Sequence, residues 1–408
     1  MIWFNAPVKR KSPFRLALLA VIMAAVVIML GAFTRLVDAG LGCPDWPTCY
    51  GHALWPDEAH EIDAANSAFP ETPVEAGKTW PEQVHRLFAS SLGLVSLLLL
   101  ALSMRQSSNT RLKWALAALA GLWFAALVTK IVIKANTVVT ATAFHGASDI
   151  VIGLIVLGGF VVLGGLSRWR DPRARQPLCL PGFIVGFVIL QGLFGMWTVT
   201  LKVWPQVVTL HLLGGFTTLS LLWLLVLRLD NRVWWLKAPE RALLIALRPW
   251  AIAGLLIVVT QIALGGWTTS NYAAVACPDL PTCQAQWWPH TDFAQGFNVF
   301  QGIGPSYLGG KMENPARVAI HLTHRIGAII TFLYVLLLAW KLFRVPVAES
   351  RRMAAILAVM VCLQFALGLS NILFHFPVAV AVAHNFGGAV LLLTLVTLLH
   401  RLYTVEQR

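Results

Sequence analysis

The heptapeptide Cys43-Pro-Asp-Trp-Pro-Thr-Cys49 returns 234 residues later as Cys277-Pro-Asp-Leu-Pro-Thr-Cys283. What precedes each copy also matches. Leu30-Gly31-Ala32-Phe33-Thr34 parallels Leu264-Gly265-Gly266-Trp267-Thr268, and nine residues separate the Thr from the first Cys in both. Self-similarity at a fixed offset marks a structural unit used more than once. Further along, His85-Arg86 parallels His324-Arg325 at an offset of 239. Leu190-Gln191-Gly192-Leu193-Phe194-Gly195 parallels Leu363-Gln364-Phe365-Ala366-Leu367-Gly368 at 173, each Gln being followed 20 residues on by a His, His211 or His384. The drop in offset means that the first half carries 66 extra residues, the length of a helical hairpin.

The landmarks lie at the ends of long apolar runs. Hydrophobic residues make up 58% of the 408, charged residues 12%, and mean hydropathy is +0.71. Soluble domains carry about 25% charge, so an ordinary soluble enzyme is excluded. A hydrocarbon core of about 30 Å needs about 20 apolar residues. Ten runs qualify, at approximately 16–37, 84–104, 112–134, 140–166, 181–201, 206–228, 247–270, 317–341, 352–374 and 379–400. In lipid such runs must be helices, because every backbone polar group needs an internal partner. The expected fold is an all-α polytopic membrane protein of about ten spans: two parallel-repeat four-helix bundles plus an inserted transmembrane hairpin. The first unit is expected over 1–230, with the hairpin at about 112–166, and the second over 231–408.

The formal charge of +13 raises nucleic acid as a partner, but that needs a basic face with stacking aromatics. Here the basic residues lie between apolar runs, so no nucleic acid is expected. Twenty-two of the 31 Lys and Arg residues fall at alternate loops and termini. Examples are Lys9 to Arg15 before the first run, Arg168 to Arg175 after the fourth and Arg228 to Arg248 after the sixth. Basic residues favour the cytoplasmic side, so both termini are expected to be cytoplasmic. The long loops 38–83 and 271–316, with both cysteine pairs, then face the periplasm. On that oxidising side, disulfides within Cys43/Cys49 and Cys277/Cys283 are favoured over a redox role or transient metal binding. The first apolar run is too long for a cleavable signal peptide, and no transit-peptide pattern precedes it. A bacterial inner membrane is therefore expected.

His85, His211, His324 and His384 each stand near the outer end of an inward-running span, two per repeat. Paired histidines at matched depth in a four-helix bundle suit the axial ligation of a haem iron. Glu82 lies three residues before His85 and so on the same helix face, which places a carboxylate beside whatever His85 binds. The equivalent position in the second half is His321. A zinc site from His321 and His324 alone is weakly founded, lacking further ligands. Arg35, Arg86 and Arg325 sit on the outer side against the basic trend and suit anionic groups such as haem propionates. Interfacial snorkelling is the alternative. The inserted hairpin contributes His145, a fifth ligand candidate by depth, with Lys130, Lys134 and Asp149, which fit an interhelical Lys130–Asp149 pair better than a proton or quinone role.

These features together resemble the heme A synthase family: the two-unit repeat, Glu82-x-x-His85-Arg86, the Gln191-to-His211 and Gln364-to-His384 blocks, His324-Arg325 and the cysteine pairs. The usual family pattern has eight spans, so the inserted hairpin is a departure. The resemblance implies a haem-dependent oxidoreductase. It would hold the substrate heme O between His85 and His211 with Glu82 as catalytic carboxylate, and a prosthetic haem b between His324 and His384. A methyl group of heme O would become a formyl group by successive hydroxylations, giving heme A for terminal oxidases. Heme O synthase and an electron acceptor such as a quinone are implied as partners, beside the lipid bilayer. Two rivals use the same residues differently. A two-haem b-type cytochrome relaying electrons gives no role to Glu82, and a parallel-repeat transporter leaves the matched histidines unexplained.

Overall fold

The computed structural model describes residues 11–106, 110–136, 155–156, 158–159, 161–162, 179–230, 232–303 and 306–407. Among them the chain is predominantly helical. Helices α1 (Lys11–Leu36), α3 (Ala76–Gln106), α5 (Cys179–Thr200) and α6 (Pro205–Asp230) form the first set of long elements. Helices α8 (Arg248–Ser270), α9 (Asn314–Phe343), α10 (Ala348–Leu373) and α11 (Val378–Thr404) form the second. Between them lie α2 (Ala59–Ala68), α4 (Thr110–Asn136), α7 (Ala238–Ala246) and a single turn, Phe293–Gly296.

Among the described residues, eight segments are long and apolar enough to cross a membrane, with α7 and α8 forming one continuous segment, Ala238–Ser270. They match eight of the ten expected runs. The run 112–134 coincides with α4. Nearly all of the run 140–166 lies outside the described residues, and so do His145, Asp149 and the side chains of Lys130 and Lys134. Leu94, Leu256, Leu333 and Val359 are exposed on the long helices, as lipid-facing side chains of a multi-pass membrane protein should be.

One expected boundary moves. Helix α3 starts at Ala76, not near 84, because Pro81 lies in its second turn. A proline there removes the bond to the carbonyl of Gly77, a residue that is exposed. Glu82 and His85 are therefore helical neighbours on a rigid rod.

The chain forms two compact units. One comprises Met1–Ala24, Ala89–Leu190 and Leu221–Arg232; the other comprises Ala25–Phe88, Gln191–Ser220 and Val233–Arg408 and contains all four histidines. In the first, Gly93 of α3 meets the Val188 side chain of α5, and the Trp123 indole donates to the Ile155 carbonyl. In the second, α9 packs on α8 and α10, and α11 packs on α10 and closes against α8, giving a ring of four. Helix α1 meets α3 at Gly31, α5 meets α6 at Gly195, and Ile28 of α1 lies against Gly215 of α6. Strand β1 (Trp235–Leu236) pairs in parallel with β2 (Glu406–Gln407), and Arg248 donates to the Leu402 carbonyl.

The C-terminal ends of α1, α5, α8 and α10 share one termination. Each has a left-handed residue after the last turn, Asp38, Lys202, Tyr272 and His375 respectively. In each, the next amide reaches back to a carbonyl five residues earlier: Ala39 to Thr34, Val203 to Thr198, Ala273 to Thr268 and Phe376 to Asn371. This is the Schellman closure. Four identical exits show that the repeated element is finer than a half-molecule. It is a helical hairpin used four times.

Candidate functional site

Each hairpin carries one histidine near the start of its returning helix. His85 stands nine residues into α3, His211 six into α6, His324 ten into α9 and His384 six into α11. At about 1.5 Å per residue, the two pairs sit at closely matching heights.

A glycine on the outgoing helix makes room for each ring. A Cβ built on Gly31 would lie 2.9 Å from His85 Cε1; at Gly265 and Gly368 it would lie 3.1 Å from Cε1 of His324 and His384, and at Gly195 3.5 Å from that of His211. Four residues before three of these glycines stands a glutamine, Gln191, Gln261 or Gln364. Gln261 Nε2 donates to the His324 carbonyl at 2.9 Å and lies 3.0 Å from His324 Nδ1. Gln364 Nε2 donates to the His384 carbonyl at 3.0 Å. The three amides lie on Gly214, Gly327 and Gly387, each three residues after its histidine, where a Cβ would strike them.

The imidazole centroids of His85 and His211 are 6.5 Å apart with planes at 87°. Two imidazoles on opposite sides of one metal ion, each with nitrogen about 2.0 Å from it, have centroids roughly 6 Å apart. Nδ1 of His85, His211 and His384 is buried and makes no hydrogen bond. His384 is close enough to His324 to act on it electrostatically. The residues present therefore fit a haem between each pair. No group of three or more metal-ligating side chains occurs among the described residues, and His321 is bound instead to the Ala273 carbonyl at 3.1 Å.

Glu82 is buried and ion-paired with Arg86 at 3.0 Å. Arg86 also donates to the carbonyls of Asp45 and Thr48 at 2.9 and 2.8 Å. Arg325 does the same in the second half, donating to Thr282, Cys277 and Asp279 carbonyls at 2.8, 2.8 and 2.9 Å. Both arginines thus pin a cysteine loop over a histidine-bearing helix. Arg325 Nε is buried without a hydrogen bond, where Arg86 meets Glu82. Arg35 pairs with Asp38 at 3.1 Å, donates to the Thr269 carbonyl at 2.7 Å and stacks on Tyr272. Tyr272 in turn bonds Asp38 at 2.6 Å, so equivalent positions of the two repeats meet.

The cysteine loops are built alike. Cys43–Cys49 and Cys277–Cys283 are disulfides. Inside each, the aspartate of the heptapeptide organises the turn: Asp45 accepts from Thr48 Oγ1 and the amides of Tyr50 and Gly51, Asp279 from Thr282 Oγ1 and the amides of Gln284 and Ala285. That Thr282 hydroxyl, followed by the two amides, holds the Asp279 carboxyl below its ordinary range.

His85, His211, His324, His384, Glu82, Arg35, Arg86 and Arg325 all lie in the larger compact unit, whereas the fifth ligand candidate, His145, lies outside the described residues. Sequence reading missed Gln261, the ring-facing glycines and the loop-pinning role of the arginines. The first two leave a trace, Gln-x-x-x-Gly followed by His-x-x-Gly, visible once four hairpins rather than two halves are aligned.

A family described as cytochrome oxidase assembly protein matches residues 14–135 and 144–396. The chain is 39% identical over 380 residues to a heme A synthase of Shewanella oneidensis, covering 93% of each. It is 25% identical over 385 residues to a heme A synthase of Caulobacter vibrioides, covering 91% of this chain and 90% of that one. A heme A synthase of Halalkalibacterium halodurans is 27% identical over 260 residues, 62% of this chain and 78% of the relative. With the match running over nearly its whole length, the chain belongs to the cytochrome oxidase assembly protein family.

Proposed function

We propose that the protein is a heme A synthase, an oxidoreductase that converts a methyl group of heme O to the formyl group of heme A. The observation that carries the reading is the asymmetry between two otherwise equivalent histidine pairs: Glu82 adjoins His85, and its counterpart in the second half is His321. One pair has a carboxylate for chemistry and the other has none.

In this reading His85 and His211 hold heme O, the substrate, within the unit 1–230. His324 and His384 hold a resident haem b within 231–408. The haem b, when bound, supplies a one-electron carrier next to the reaction. Arg86 fixes the Glu82 carboxylate in place through the 3.0 Å pair. A carboxylate so held takes up the proton lost from the reacting carbon or from an attacking water, and stabilises positive charge developing at the methyl. The disulfide loops, pinned by Arg86 and Arg325, cover the outer ends of both sites, and Arg35, Arg86 and Arg325 are the cations available to haem propionates. A bacterial inner membrane with both termini cytoplasmic and the cysteine loops periplasmic follows from the basic loops. Heme O synthase as supplier of substrate and a quinone as electron acceptor complete the scheme.

The test is extraction of the porphyrins from the purified protein and their identification by mass. Heme O or heme A beside haem b supports the synthase. Haem b alone would support an electron relay, and no porphyrin a transporter.

A further inference from the structure

Three of the four histidines share a support that the fourth lacks. Gln191, Gln261 and Gln364 each stand on the outgoing helix four residues before the ring-facing glycine, and each amide lies on the glycine three residues after the histidine. Two of them also bond the carbonyl of the histidine itself. In those two hairpins the amide ties the helices together at the level of the ligand, and the Gln191 amide packs on Gly214 at the same level. In the first hairpin the corresponding positions are Val27 and Phe88. Valine offers no amide, and a side chain at 88 occupies the place where an amide would lie. Phe88 does not substitute for it, being exposed. His85 rests against Gly31, and the contact it has at position 27 is with the main chain alone.

We infer that His85 is the exchangeable ligand of the substrate site, and that Gln191, Gln261 and Gln364 are positioning residues which make His211, His324 and His384 fixed ligands. The inference rests on the proposed function: one haem must enter and leave at each turnover while the other stays. A site with one fixed and one loosely held ligand releases its haem from one side, keeping it oriented by the other. The loose ligand is also the one beside Glu82, so the group that yields lies on the face where the chemistry occurs. Partners of this kind are worth 10- to 100-fold in affinity at metal-binding histidines.

Carbon monoxide is the probe, because it binds reduced haem iron only where an axial ligand gives way. With purified, reduced wild-type protein, one equivalent should bind, at the first site. Gln261→Ala should admit carbon monoxide to the second haem as well, counted per haem bound. The double variant Val27→Gln with Phe88→Gly, which installs the missing amide and the glycine that receives it, should slow binding of the first equivalent about 10- to 100-fold. Gln261→Ala keeps the test decisive if the double variant does not fold. Wild-type protein in which both haems bind carbon monoxide equally, or neither does, would overturn the inference while leaving the haem-binding function intact. So would an unchanged rate in the double variant. A preparation without haem absorption overturns the function reading and this inference with it.

Discussion

A methyl group added in turn to each of the four ring-facing glycines gives a graded test of the histidine sites. Carbon atoms in contact prefer about 3.5–4.0 Å. The alanine Cβ would stand 3.5 Å from His211 Cε1 at position 195, 3.1 Å from the rings of His324 and His384 at positions 265 and 368, and 2.9 Å from His85 Cε1 at position 31. Gly195→Ala therefore needs no movement, whereas Gly31→Ala needs a retreat of roughly half an ångström by a ring wedged between two helices. Overpacking of this size costs about 1–3 kcal/mol, or about 5- to 150-fold in affinity. The penalty falls on the haem site, since Gly→Ala inside a helix itself contributes about 0.5–1 kcal/mol of stability. The assay is haem per protein and the absorption spectrum of each purified variant, beside its thermal midpoint. Gly31→Ala should deplete the first site most, Gly265→Ala and Gly368→Ala should weaken the second, and Gly195→Ala should stay near wild type. Equal losses at positions 31 and 195, or full haem with unchanged spectra in all four, would refute the reasoning.

Glu82→Gln should retain both haems and slow formyl production by about 10²- to 10⁴-fold, the range of a lost general base, read by mass of the extracted porphyrins. Arg325→Ala removes the donor to three loop carbonyls and should destabilise the second cysteine loop by roughly 1–3 kcal/mol, seen as faster proteolysis there. Arg86→Ala should cost more, because it also strands a buried carboxylate. The depressed pKa of Asp279 means that its stabilising contribution is complete above the unfolded value of about 3.9 and disappears as pH falls through the lower folded value. Asp279→Asn should remove that acid-side loss, measured as the pH at which the loop becomes protease-sensitive.

The spans, the repeat and the four histidines were legible because they rest on apolar run length and on chemically distinctive residues at constant offsets. The disulfides were legible for the same reason, two cysteines at identical spacing in equivalent loops. The start of α3 was not, since Pro81, Glu82 and Gln83 carry the signature of a loop while the helix tolerates them close to its exposed end. The division of labour of Arg86 and Arg325 was hidden too. Their acceptors are main-chain carbonyls, which leave no mark on sequence, so an outer arginine reads equally as a propionate contact or a loop pin. Gln261 escaped because the second copy of its hairpin was aligned on Leu264 to Thr268, one turn beyond it. In the first hairpin the same position is Val27, so the repeat breaks there.

The central claim is that this chain oxidises heme O and that Glu82 is required. Its most direct measurement is expression in a bacterium that makes heme O but has no heme A synthase, followed by mass identification of total porphyrins. Wild-type protein should yield heme A, and Glu82→Ala protein, still carrying haem, should leave heme O unconverted. Absence of heme A with the wild-type chain, or normal heme A from the variant, would contradict it.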